Sequence, residues 1–181
     1  MAVERILFGM HGNSVALEPI NRGGGQERGL RSGTLNTAGI VGLGAAFELR
    51  QSRLGDAESI NDLRDKLERR LVEETGAWVN GNEASRIPNS LNLSIPSVEP
   101  FALMRRLTDQ ITFSSSSACS TQSVEDSHVL EAMFGAGTER TKNAFRLGLG
   151  YGTTDEQIET TAELFIQAVA DIRRGRVGSA A

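Results

Sequence analysis

Ile60, Leu63, Leu67 and Leu71 follow one another at spacings of three, four and four, the period of a helix with one buried face. Gly76 stands where such a helix stops. Asp62 with Lys66, and Asp65 with Arg69, predict acid-to-base pairs along its outer side, each worth about 0.2–0.5 kcal/mol. Ile158, Ala162, Phe165, Val169 and Ile172 hold the same period near the end of the chain, opened by Thr154 and Gln157 as a capping box. Between the two, Leu91, Leu93 and Ile95 alternate with Asn92 and Ser94. That pattern predicts a strand with one face buried, ended by Pro96. Shorter signals predict a helix around Leu103, Met104 and Leu107, a strand over 111–115, a helix over 128–134 capped by Ser123 or Ser127, and a strand over 144–150.

The first fifty residues read differently. Residues 6–10 fit one short strand, and residues 22–29 are too rich in glycine for a helix. A helix follows over 36–50, with Ile40, Leu43 and Phe47 on one face. Its glycines, Gly39, Gly42 and Gly44, would let another element approach closely. Gly55 marks a boundary. Beyond it the order is helix–strand–helix–strand–helix–strand–helix, which predicts an α+β domain whose short, mostly antiparallel sheet is covered by helices. The organisation expected is 1–54 as an N-terminal segment with a connector helix and the Gly-rich block, 55–175 as a small C-terminal α+β domain, and 176–181 as a disordered tail.

Composition narrows the partners. Among 181 residues, 19 Lys and Arg face 23 Asp and Glu, a net charge of −4, which argues against a nucleic-acid binder held by phosphate neutralisation. One cysteine forbids an intrachain disulfide and suits a reducing cytoplasm. No apolar run approaches the roughly 18–20 residues of a membrane span. Glu4, Arg5 and His11 interrupt any signal-peptide core. The expectation is a cytoplasmic protein with neither a membrane nor a nucleic acid as partner.

Three places could carry chemistry. Cys119 follows Ser114, Ser115, Ser116, Ser117 and Ala118, so it falls on a loop of small residues just past a strand. It reads either as an accessible thiol or as a small buried hydrophobe. Arg146 lies in a strand where Phe145, Leu147 and Leu149 take the core face. Its own face carries only Ala144, Gly148 and Gly150, a bare strip where an arginine fork can seat a carboxylate. A solvated face or an ion pair is the other reading of the same pattern. Residues 23–34 place Arg28, Arg31, Ser32 and Thr34 among glycines, a composition that could hold a phosphate or simply form a loop. The block lacks the Gly-Lys-Ser/Thr of a Walker loop. His11 and His128 are too far apart for metal-ligand spacing, and no Gly-x-Ser-x-Gly elbow is present.

Taken in order, three blocks resemble the C-terminal half of the pyridoxal-phosphate-dependent cysteine desulfurases, of the class V aminotransferase type. They are residues 23–34 (GGGQERGLRSGT), 115–120 (SSSACS) and 145–150 (FRLGLG), with LNLS at 91–94 and SHVL at 127–130 in support. The resemblance implies that Cys119 is the thiolate that takes sulfur from L-cysteine, leaving alanine and an enzyme persulfide for a sulfur-acceptor protein. It implies that Arg146 holds the substrate carboxylate. Thr34, with Arg31 in the same block, matches a cofactor-phosphate contact made across a dimer interface. The serine-rich arm suits a thiol that must travel between cofactor and acceptor.

The family's cofactor lysine lies upstream of the Gly-rich block, and no equivalent is found here. The two lysines are Lys66, on a helix, and Lys142, before a strand. The expectation is therefore a truncated or split desulfurase that binds no pyridoxal phosphate alone and is inactive alone. A chain carrying the cofactor-binding half would complete it, and 1–54 would be a remnant of the large domain. Two further readings remain: a non-enzymatic persulfide carrier or sulfur-relay partner, and an inactive dimerisation module. Self-association is expected, because removing a large domain would expose apolar surface.

Overall fold

The computed structural model describes residues 18–53, 55–81, 85–115 and 127–175. The chain divides into two compact units, Met1–Leu54 and Gly55–Ala181. The strand expected over 6–10, Cys119 and the tail 176–181 lie outside the described residues.

In the first unit the glycine-dense stretch folds back on itself. Glu27 and Arg28 take left-handed backbone angles, with φ of 51° and 57°, inside a single turn spanning Gln26–Gly29. The loop is closed from within. The Ser32 amide donates to the Asn21 carbonyl, the Ser32 hydroxyl to the Gly24 carbonyl, and the Gly33 amide to the Gln26 side chain. Helix α1, Thr37–Ser52, begins where Asn36 accepts a hydrogen bond from the Gly39 amide at 2.9 Å, a side-chain N-cap. Ile40, Val41, Phe47 and Leu49 are exposed. A methyl group placed on Gly42 or Gly44 would meet nothing within 4 Å, so the close approach expected there is not made among the described residues.

The second unit is an α+β domain. Helix α2, Asp56–Thr75, ends at Gly76, whose left-handed φ of 68° turns the chain out of the helix. Strands β1 (Trp78–Val79) and β2 (Ser90–Ser94) follow, then α3 (Pro100–Arg106), β3 (Ser114–Ser115), α4 (His128–Phe134), α5 (Glu139–Lys142), β4 (Ala144–Gly148) and α6 (Asp155–Arg173). The sheet order is β1-β2-β4-β3, and every neighbouring pair is antiparallel. Thr154 and Gln157 form the reciprocal capping box at the start of α6.

One face of the sheet meets α2, α3 and α6. Leu67 and Leu71 from α2, Leu103 from α3, and Ile158, Ala162, Phe165 and Val169 from α6 enclose Leu91, Leu93, Phe145 and Leu147. Phe113, Phe145 and Phe165 form a three-ring cluster with centroids 5.1–5.7 Å apart.

Four expectations need correction. The strand over 111–115 shrinks to Ser114–Ser115, because only those residues pair with β4. Residues 149–150 run past the paired part of β4. Ser127 occupies the N-cap of α4 without a side-chain bond to the helix. Lys66 reaches not Asp62 but Asp155 and Glu159 on α6, while Asp65 accepts from Arg64 and Asn61. Tertiary contact offered Lys66 two carboxylates where the helix surface offered one. No helix among the described residues is long and apolar enough to cross a membrane.

Candidate functional site

Arg146 sits in the middle of β4, and the pleat decides its direction. Phe145 and Leu147, its neighbours in sequence, are buried in the core, so Arg146 projects from the opposite face and is exposed. Pairing places Asn92 of β2 on one side of it and Ser114 of β3 on the other. A methyl group on Gly148 or Gly150 would meet nothing within 4 Å among the described residues, so there the strip beyond Arg146 is open. Among the described residues no hydrogen bond or ion pair reaches the Arg146 guanidinium.

The other end of the same face is closed. Ala144, expected on the bare strip, is fully buried, because α5 lies over that end. The Ser94 hydroxyl opposite it donates to the Arg140 carbonyl at 2.6 Å. The Arg140 side chain crosses the sheet edge, donating to the Val79 carbonyl at 2.7 Å and to Asn80 Oδ1 at 2.8 Å, with its guanidinium 3.9 Å from the centre of the Phe134 ring. Asn80 Nδ2 in turn donates to Asn92 Oδ1 and Ser94 Oγ, both at 2.8 Å. Two arginines thus share one face: Arg140 is anchored by two hydrogen bonds and a ring, and Arg146 has no partner among the described residues. The pattern of β4 alone marks Arg146. Asn80, Asn92, Ser114 and Arg140 acquire meaning only through cross-strand register, which carries no local signal.

The other candidates are placed separately. Arg31 and Thr34 belong to the first unit. Arg31 Nη1 donates to the carbonyls of Gly33 and Thr34, at 3.3 and 2.7 Å, so its guanidinium braces its own loop, and Thr34 is exposed. Cys119 lies outside the described residues. Among the described residues no group of His, Cys, Asp and Glu is arranged to hold a metal ion.

Both lysines are accounted for. Lys66 Nζ lies 2.6 Å from Asp155 and 2.8 Å from Glu159, and those bonds raise its pKa above the ordinary lysine value. The same contact lowers the Glu159 pKa. Lys142 is exposed at the end of α5, immediately before β4.

Residues 6–161 match the class-V aminotransferase family. The cysteine desulfurase IscS of Pseudomonas putida (strain W619) is 39% identical over 160 residues, covering 88% of this chain and 39% of the relative. The IscS of Anaeromyxobacter dehalogenans (strain 2CP-C) is 42% identical over 153 residues, 83% of this chain and 37% of that protein. Among solved structures, a NifS-like protein from Rickettsia africae ESF-5 superposes with a TM-score of 0.73 at 30% identity, over 86% of this chain and 41% of its own. A second NifS-like protein gives 0.71 at 32% identity, over 90% and 40%. The chain thus spans about two fifths of the length of the curated relatives it matches.

Cysteine desulfurases act on L-cysteine and use pyridoxal phosphate, an aldehyde cofactor that needs a neutral amine to hold it. The two lysines here do not fit that need. Lys66 is kept protonated by two carboxylates, and Lys142 stands in solvent on a one-turn helix. By the span of the family match, by identity to the IscS proteins and by superposition on the NifS-like structures, the chain belongs to the class-V aminotransferase family, in its cysteine desulfurase branch.

Proposed function

We propose that this chain supplies the sulfur-accepting part of a cysteine desulfurase. Arg146 holds the carboxylate of L-cysteine, and Cys119 takes the sulfur. In the net conversion the Cys119 thiol and L-cysteine give a Cys119 persulfide and L-alanine. One S–S bond forms, the substrate's Cβ–S bond breaks, and two electrons pass from sulfur to the β-carbon, so no outside oxidant is needed. The observation that carries the reading is the Arg146 guanidinium, exposed and without a partner among the described residues, beside the strand that leads into the segment with Cys119.

The state of the two lysines supports a division of labour. A cofactor-bearing domain outside these 181 residues, carrying the cofactor lysine, completes the reaction, and Thr34 and Arg31 contribute to its phosphate site from the first unit. Residues 18–53 then act as the connector to that cofactor-bearing domain. A sulfur-acceptor protein takes the persulfide onward.

The test is to mix the folded chain with a polypeptide bearing the complementary half of a desulfurase and to assay alanine from L-cysteine. Alanine should form in the mixture, and neither component should form it alone. Cys119→Ala should abolish turnover, and Arg146→Gln should raise KM. Absence of alanine with both partners folded would sink this reading.

A second reading, which needs only Cys119, is a persulfide carrier without a cofactor of its own. Incubation with a low-molecular-weight persulfide, followed by intact-mass measurement, should then add one sulfur to the chain and none to Cys119→Ala.

A further inference from the structure

The face that presents Arg146 carries a second donor whose direction is fixed by a chain of side chains. Arg140 can only donate, so the atom of Asn80 that meets its Nε at 2.8 Å must be the carboxamide oxygen. The amino group of Asn80 then faces β2, donating to Asn92 Oδ1 and Ser94 Oγ. Asn92 must therefore turn its oxygen toward Asn80 and its own amino group away. The usual ambiguity of an amide flip is removed by the arginine at the start of the chain. Arg140 is itself anchored by the Val79 carbonyl and the Phe134 ring.

The Asn92 amino group has no acceptor among the described residues. No fully buried side-chain nitrogen or oxygen among them lacks a partner, so this group reaches solvent. It does so directly across the strand pair from Arg146. Opposed residues of antiparallel strands point to the same face with Cβ atoms about 4.5–5.5 Å apart, a gap that one carboxylate can bridge. A guanidinium and a carboxamide N–H on opposed residues, both without a partner among the described residues, form a donor pair for a carboxylate. Ser114, on the other flank, is a weaker candidate, because no hydrogen bond among the described residues fixes its hydroxyl, a rotor that can turn to suit either partner.

We propose that Asn92 is a second binding residue for the amino-acid carboxylate, donating through Nδ2 beside Arg146, and that Asn80 and Arg140 are positioning residues that hold it in that orientation. This rests on the reading of Arg146 as the carboxylate seat. The arrangement selects a planar carboxylate over the corresponding amide, since the pair offers donors only.

The experiment titrates L-alanine into the 15N-labelled full chain while following the Arg146 Nε–H and Asn92 Nδ2–H resonances. Both should shift along one saturable curve, and L-alaninamide should move neither. Asn92→Ala should weaken L-alanine binding at least about tenfold, as expected for a hydrogen bond to a charged group. Asn92→Asp keeps the shape and the bond from Asn80 but replaces the donor with a charge that pairs with Arg146, so the response should vanish. If Asn92→Ala fails to fold, the Asn92 amide shift in the unaltered chain decides. A shift at Arg146 that Arg146→Gln abolishes, with Asn92 silent and Asn92→Ala binding as the parent does, overturns the role of Asn92 and leaves the Arg146 reading intact. No saturable shift at either residue overturns both.

Discussion

Along β4, Phe145 and Leu147 lie beneath α2 and α6, while Arg146 and Gly148, one residue away, stand in solvent. The buried face is filled by rings and leucines from three helices and two strands, and any of several residues of similar volume could occupy each place. The open face has few side chains, and each is fixed by a named partner or has none. One face is a packing problem with many solutions, the other a bonding problem with few. Substitutions should therefore separate stability from binding according to which face they touch.

The largest effect is expected on the buried face. Phe165→Ala removes the ring that touches both Phe113 and Phe145 and should cost about 3–5 kcal/mol of unfolding free energy, read by denaturant titration. Arg146→Gln, on the open face, should leave the same measurement within about 0.5 kcal/mol. Comparable losses from the two would break the contrast.

The closed end of the polar face should fall between. Arg140→Ala leaves Asn80 Oδ1 and the Val79 carbonyl without their donor and should cost about 1–3 kcal/mol. Unlike Phe165→Ala, it should also release the Asn92 amide, visible as a change in that side chain's NMR signals before any ligand is added.

Thr154→Ala removes the capping box of α6, the helix that covers the buried face, and should cost about 1 kcal/mol, read as a lowered thermal midpoint.

The smallest effect concerns how the helices are fastened to one another. Glu159 is held below its ordinary pKa chiefly by its bond to Lys66, and Asp171 chiefly by its bond to Arg174, with Arg106 of α3 adding to it. Their contribution is present at neutral pH and is lost as pH falls below the carboxylate range of about 4. The raised pKa of Lys66 acts at the other end, its contribution being lost only as pH rises past the ordinary lysine value. Glu159→Gln should flatten the acid limb of a stability–pH profile, with little change at the core residues.

Much of this is legible in the sequence. The period of α2, its stop at Gly76 and the cap of α6 are local features, set by residues within a turn or two of each other. The outward direction of Arg146 followed from alternation alone. Trp78–Val79 and Glu139–Lys142 were not legible, since two residues show no alternation and four make one turn without a period. Asn80 and Asn92 are twelve residues apart, and their side-chain bond exists only because β1 and β2 pair in one register. The partners of Lys66 were misread for a similar reason. Asp62 is near in sequence, but α6 brings two carboxylates from 89 and 93 positions away.

Strand β3 closes one edge of the sheet, with Ser115 paired to Phe145, the residue before Arg146. Cys119 is four positions beyond Ser115, and fully extended chain spans at most about 3.3–3.6 Å per residue. Covalent geometry therefore keeps Cys119 within at most about 14 Å of the border of the sheet. Under the proposed function, a sulfur acceptor has to approach within that reach of the border.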